Sequence, residues 1–374
     1  MQLSYIILTI LISSTYCGLL IYLIHVWNKI NNYVIPQSRN YLPLSIVIAA
    51  RNESNNINSC LSSIIKAAKV YPGQIQVIVI DDHSKDETVS IVESFASDNI
   101  ELIQLKDHLT TPINAYKKAA ISLGIQKAAY TYIIQLDADI VIPQKYFNSI
   151  NSGLQNTKAD FLAGPVHFRG EGYFSAFQSL DMLGMLGVIA VGIESGHWFM
   201  ANGANMIYKK GIFTFDNNDF ASGDDVFAIQ QVFQSGKQIN FLKCQQAAVS
   251  TNTEPKIKDF LSQRLRWATK NKMMKSNKML AMMSIPFINS LILLGHLVVL
   301  LFWREIALAM LAFHFSLKGM IDFIYLSKLS EDLEYPFSPK EFWYASLLTP
   351  VYLSAVGLMS LVVKKYTWKG RRVK

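Results

Sequence analysis

Three apolar runs in the first 140 residues each end in a charged cluster. Leu44–Ala50 is followed by Arg51-Asn52-Glu53, Gln74–Ile80 by Asp81-Asp82, and Tyr132–Leu136 by Asp137-Ala138-Asp139. Short apolar runs bounded by turn residues read as buried strands. Between the first two, Ile57, Leu61, Ile64, Ile65 and Ala68 repeat at the spacing of one helix face. Further helices are expected over Glu87 to about Ala96 and over Lys117–Ala128, with a strand near Glu101–Leu105. Strands alternating with helices restrict the chain to an α/β fold with a mostly parallel sheet covered on both faces. Ligands of such sheets bind beyond the carboxyl ends of the strands. The three clusters therefore fall along one edge and can line one pocket. Phe161–Val166 and Asn202–Tyr208 read as later strands, and Asp225–Gln234 as a later helix.

The residue types in these clusters suggest chemistry. Charge beside an apolar core is costly unless something offsets it. Asp137 and Asp139, flanked by Leu136 and Ile140, can hold a divalent cation that in turn holds phosphates; a solvated turn is the plainer alternative. Asp81 and Asp82 can accept hydrogen bonds from a base or ribose, or simply cap a helix. Gly223-Asp224-Asp225 opens a helix, where acids are favoured by the macrodipole; one of them can also serve as a general base. Gln263-Arg264-Leu265-Arg266-Trp267 places two guanidinium forks beside an indole, suited to phosphate and to a sugar face, or to a surface helix near a membrane.

The two ends differ from this middle. Hydrophobic residues make up 51% of the chain and charged ones 17%, an apolar bias that collects at the termini. Leu3–Val26 contains no Asp, Glu, Lys or Arg, enough to cross a bilayer. A signal peptide would be shorter and preceded by positive charge. Residues 28–43 read as a linker, 44–275 as the α/β domain, and 276–374 as a membrane region with a basic tail. Met282–Phe302, Ile306–Leu326 and Phe342–Val363 are the candidate spans there, two or three of them crossing, with Trp303-Arg304-Glu305 as a turn. Phe174–Ile193 reads equally as a buried helix or as an interfacial one. Three crossings after a cytosolic domain would place Lys364, Lys365, Lys369, Arg371, Arg372 and Lys374 outside, against the positive-inside rule. One segment is then re-entrant or interfacial, or the rule is broken. The net charge of +8 lies largely in this tail and suits anionic lipid; no aromatic-interleaved basic platform points to nucleic acid. Cys17, Cys60 and Cys244 match no metal spacing and no disulfide framework.

In this order the clusters resemble the membrane-bound family 2 glycosyltransferases of GT-A fold, such as ceramide glucosyltransferase-like enzymes and polysaccharide synthases. The resemblance covers about Pro43 to Lys270. It implies that Ala50, Arg51 and Glu53 form the nucleotide-binding turn and that Asp81 and Asp82 meet the uracil and ribose. Lys118, in Tyr116-Lys117-Lys118-Ala119-Ala120, borders the nucleotide, and Arg266 contacts the diphosphate. Asp137 and Asp139 match the pair for Mg²⁺ or Mn²⁺, with Asp139 as direct ligand. Asn202 and Gly203 line the donor sugar and acceptor site, which Gln263 and Trp267 close. Asp225 matches the catalytic base, and Asp224 stands where many synthases have Glu. The implied function is sugar transfer from a nucleoside diphosphate, UDP in the first instance, to a hydroxyl of a lipid or lipid-linked acceptor, with inversion and on the cytoplasmic face. A processive polysaccharide synthase is the alternative, and a catalytically inactive nucleotide-binding membrane scaffold the second.

Overall fold

The computed structural model describes residues 1–33, 40–95, 99–109, 111, 113–215, 223–270, 276–362, 366–368 and 371–373. Part of the expected 28–43 linker, the expected boundary at residue 275, and Lys364, Lys365, Lys369 and Lys374 lie outside the described residues. The chain begins with α1 (Gln2–Trp27), followed by β1 (Leu44–Ala50), α2 (Ile57–Ala68), β2 (Ile75–Asp81), α3 (Thr88–Glu93), β3 (Ile100–Gln104), α4 (Tyr116–Lys127) and β4 (Tyr132–Asp137). Then come α5 (Tyr146–Thr157), β5 (Phe161–Ala163), β6 (Val166–Arg169), α6 (Tyr173–Ser195), β7 (Asn205–Lys209), α7 (Asp224–Gln234), β8 (Ile239–Phe241), β9 (Val249–Asn252) and α8 (Ile257–Lys270). Three long helices close the chain, α9 (Asn277–Val299), α10 (Arg304–Leu333) and α11 (Pro339–Val362), before the short antiparallel pair β10 (Tyr366–Trp368) and β11 (Arg371–Val373).

Seven strands form one sheet in the order β3-β2-β1-β4-β7-β5-β8. Only β7 runs against its neighbours, so the sheet is mostly parallel, the α/β architecture expected. Register aligns the functional strand ends. Ala50 pairs with Asp81, and Ala49 with Asp137, so the acids of β2 and β4 stand at one level on either side of β1. The pleat sends Ile46 and Ile48 to one buried face and Val47 to the other, which is why these strands carry unbroken apolar sequence.

The single strand expected over Phe161–Val166 is two. β5 stays in the main sheet, while β6 pairs with β9 in a second, two-stranded one. Gly164-Pro165 makes the break. A Cβ at Gly164 would lie 2.2 Å from Asn205 Nδ2, and that amide donates to the Pro165 carbonyl at 2.8 Å.

Among the described residues, five helices are long and apolar enough to cross a membrane: α1, α6, α9, α10 and α11. Their roles differ. α6 is two-thirds buried along its apolar window and packs on β6 and β8 as well as on α1, α10 and α11. Of the two readings of Phe174–Ile193, the structure takes the buried helix. α1, α9 and α10 project away from the sheet. At their far end Tyr5 packs edge-on against His296 and beside Trp303. At the near end Asp332 accepts hydrogen bonds from Lys243 and Trp27. α10 continues past the expected Leu326 because Leu329 and Leu333 are themselves buried in the core. α11 differs from these three. Besides packing on α9 it runs along α6 and α8, and β10, which follows it, lies against α8.

Candidate active site

The turn after β1 folds onto the turn after β2 through a dense set of hydrogen bonds. Arg51 Nη1 donates to the Asp82 carbonyl at 2.9 Å and lies 3.6 Å from its carboxylate. The amides of Asn52, Glu53 and Ser54 donate to Ser84, Thr88 and Asp86. Glu53 also accepts from Asn56. Asp86 receives the Ser54 and Thr88 amides and the Thr88 hydroxyl; burial opposes its charge, but those donors win and bring its pKa down to about 2. Asp81 and Asp82 are both buried, with Asp81 accepting the Ser84 amide and Asp82 facing His83 at 3.0 Å. The structure thus brings Arg51, Glu53, Asp81 and Asp82 into one corner beside Ala50.

The next corner is organised by Lys117. Its ammonium donates to Asp137 at 2.8 Å and lies 3.7 Å from Asp224. Burial disfavours the charge, yet Asp137, Asp224 and Asp225 together raise the lysine pKa well above its ordinary value. Asp224 and Asp225 form the first turn of α7, entered through Gly223 at φ 88°, a left-handed conformation that glycine adopts without strain. Asp224 is buried and accepts a hydrogen bond from Gln135 at 2.9 Å. Asp225 accepts the Val226 amide. Gly203 lies against both: a Cβ there would be 3.4 Å from Asp224 and 3.7 Å from the Asp225 carboxylate. Asn202 accepts the Ala204 amide, fixing that approach.

Asp139, two residues beyond Asp137, accepts the Thr251 hydroxyl of β9 at 3.1 Å. Among the described residues no group of three or more His, Cys, Asp or Glu side chains can hold a metal. Two neighbouring carboxylates without a protein cage fit a hard cation of the Mg²⁺ type, which takes one or two carboxylates and completes its shell with water and substrate phosphates.

α8 carries the third part. Gln263 donates to Glu254 at 3.2 Å, while its Oε1 is buried with no hydrogen-bond partner. Burial raises the Glu254 pKa, with Asp259 adding to it and Arg266 and Arg264 opposing it. Arg264 lies over the Trp267 ring at 4.3 Å and 3.0 Å from Asp181 of α6. The Glu254 backbone is clamped by Gln178 of α6 in both directions. α8 is thereby seated on α6, and through it on the apolar helices.

Two family models match the chain. "Glycosyl transferase family 2" covers residues 45–218, and "Glycosyl transferase family group 2" covers 132–359, more than half of the 374 residues. The chain is a family 2 glycosyltransferase. The transferase is 28% identical over 149 residues to the poly-β-1,6-N-acetyl-D-glucosamine synthase of Staphylococcus epidermidis, 39% of this chain and 34% of that one. It is 29% identical over 128 residues to glycosyltransferase AglE of Haloferax volcanii, 33% of this chain and 40% of that one. The matched stretches thus span well under two thirds of those relatives. In structure it is similar to a mannosyltransferase from Pyrobaculum calidifontis, solved with GDP-Man and Mn²⁺, with a TM-score of 0.56 and 16% identity over 95% of this chain and 98% of that one. That likeness is one of GT-A fold.

Several residues that the structure brings beside these clusters were not visible as such in the sequence. Lys117 rather than Lys118 faces the acids; Lys118 is buried with its ammonium 4.1 Å from the Phe227 ring centre. Beneath Asp224, Gln135 also accepts the Tyr208 hydroxyl at 3.0 Å. A glutamine inside a fully buried strand was the signal, since such an amide needs partners. Glu254 is a further addition. His197 and Trp198 pack on Tyr22 of α1 and on the Val188 carbonyl of α6.

Proposed function

We propose that the protein transfers a sugar from a nucleoside diphosphate, UDP in the first instance, to a hydroxyl of a lipid or lipid-linked acceptor, with inversion. The observation that carries this reading is the placement of Lys117. One ammonium touches the acid at the end of β4 and reaches the acids that open α7, so leaving-group site and base site adjoin. Arg51, Glu53, Asp81 and Asp82 supply the corner for base and ribose. Mg²⁺ or Mn²⁺ bound at Asp139 and Asp137 would neutralise the diphosphate; the mannosyltransferase of similar fold holds Mn²⁺. Arg266 adds fixed positive charge for the departing phosphates. Asp225 takes the proton of the acceptor hydroxyl as its oxygen bonds to the anomeric carbon and the bond to the diphosphate breaks. Gln263, with a buried carbonyl oxygen lacking a partner, is suited to accept from a hydroxyl of the acceptor, with Trp267, Asn202 and Gly203 as its walls.

The lipid acceptor is supported by architecture. α8 rests on α6, and α6 packs on α1, α10 and α11, so the site stands next to helices suited to a bilayer. The sheet domain then lies on the cytoplasmic face, with α11 in the interface. The test is to incubate full-length protein with a panel of nucleotide sugars and total lipid, then identify products by mass. A lipid-extractable product one sugar heavier is expected; no transfer from any donor, with binding retained, would leave only a nucleotide-binding scaffold. Similarity to the poly-β-1,6-N-acetyl-D-glucosamine synthase favours a second reading, chain extension, which a high-mass polymer in the same assay would establish.

A further inference from the structure

A cleft of about 1110 Å³ lies between α2 and the loop that joins β6 to α6. It adjoins the candidate metal site at Asp139, while none of Asp81, Asp82, Asp224 and Asp225 lines it. Its α2 wall passes from Asn55 and Ser59 to Lys66 and Lys69. The two lysines are three residues apart and so share a helix face. Arg169 and Glu171 form the opposite wall. Among the described residues no salt bridge engages Lys66, Lys69 or Arg169.

A second observation fixes what this loop faces. It is tied at both ends to the long apolar helices. Before it, the Phe168 carbonyl accepts the hydroxyl of Tyr335, which follows α10, and the His167 ring lies 4.3 Å from the Tyr335 ring. After it, Tyr173 packs on Tyr344 of α11 at 5.3 Å. Tyr173, Trp343 and Tyr344 are exposed, and exposed Tyr and Trp beside apolar helices collect at the headgroup level of a bilayer. Arg169 is therefore held at that level, with the lysines facing it across the cleft.

We propose that this cleft binds the phosphate headgroup of an anionic membrane lipid between Lys66, Lys69 and Arg169. Polybasic sites at the membrane surface gain about fivefold in affinity per cation. The amide and hydroxyl groups of Asn55 and Ser59 supply donors for the polar part of a headgroup. The site stands whether or not sugar transfer occurs, because it rests on the loop and the cations alone.

The test uses full-length protein in nanodiscs of neutral phosphatidylcholine, without donor, titrated with fluorescent phosphatidylglycerol and read by energy transfer from the protein's tryptophans. Wild type and a Lys127→Glu control, on the exposed end of α4, bind alike. Lys66→Glu/Lys69→Glu loses about 25-fold or more, and adding Arg169→Glu brings the loss to roughly 100-fold. Lys66→Gln/Lys69→Gln gives the same direction with less disturbance of the helix, and an unchanged Tm shows that each variant is folded. Binding by the folded variants equal to wild type overturns the proposal. So does competition by inorganic phosphate at the lipid's own affinity, which would assign the cleft to a free anion.

Discussion

Charge is handled in opposite ways by the helices that project from the sheet and by the edge of the sheet itself. On α10, Lys318 lies 2.5 Å from Asp322, whose other oxygen accepts the Tyr16 hydroxyl. One end of the same helix has Asp332 between Lys243, Lys328 and Trp27. His314 sits between His296 and Asn289. Each of these ionisable side chains has a local partner, as an apolar surrounding requires. At the sheet edge, by contrast, Asp137 of β4 and Asp224 and Asp225 of α7 gather around the ammonium of Lys117. Matched charges hold helices in register. Acids gathered at a strand end can hold a divalent cation or take a proton, and the proposed reaction would use both.

The contrast can be broken by substitution. Asp225→Asn should lower kcat by about 10²- to 10⁴-fold while donor affinity, measured calorimetrically, stays within about twofold of wild type; full turnover would remove Asp225 from the role of base. Chelation of divalent cations should cost about 10²- to 10³-fold, restored by Mn²⁺ or Mg²⁺ in wild type but not in Asp139→Ala. Undiminished turnover after chelation would place neutralisation of the leaving group on Lys117 and Arg266 alone. In the helices the expectation reverses. Lys318→Met should destabilise by about 3 kcal/mol because it strands Asp322, whereas Lys318→Met/Asp322→Leu should recover most of that loss; equal loss in both, by thermal unfolding in detergent, would show that the pair is not coupled.

The smallest effect is one of pH. Asp86 has its pKa lowered to about 2 from 3.8, so its contribution is complete above pH 4 and fades as pH falls toward 2. Hydrogen exchange of the Ser54 and Thr88 amides should rise over that window and should become insensitive to it in Asp86→Asn. Exchange that is flat in wild type would show that the turn is held by its other bonds.

Much of this was legible in the sequence because the strands are buried on both faces. Leu44–Ala50 and Tyr132–Leu136 announce themselves by apolar content, and the acids that follow must then lie at strand ends. What escaped depended on phase and on distant partners. Lys117 and Lys118 are adjacent, and α4 has apolar residues all round, so nothing local says which lysine faces the sheet edge. Gly164-Pro165 looked like part of a strand, because the Asn205 amide that fills the space beside Gly164 comes from a strand forty residues later. The packing of α11 on α6 and α8 was hidden for the same reason: its composition resembles that of α9, on which it also packs. The four clusters stand out by residue type alone, whereas the placement of Glu254 depends on α6, which brings Gln178 against it.

α6 has a practical consequence for anyone handling this enzyme. It lies inside the stretch between α1 and α9, and it serves as floor to the sheet and as wall to the apolar helices at once. A fragment trimmed of those helices would keep this 23-residue apolar rod and lose what covers half of it. Such a fragment should aggregate or require detergent even though no crossing helix is left. Attempts to obtain a soluble catalytic core should therefore begin by resurfacing the side of α6 that meets Tyr325 and Tyr352, not by moving the cut sites.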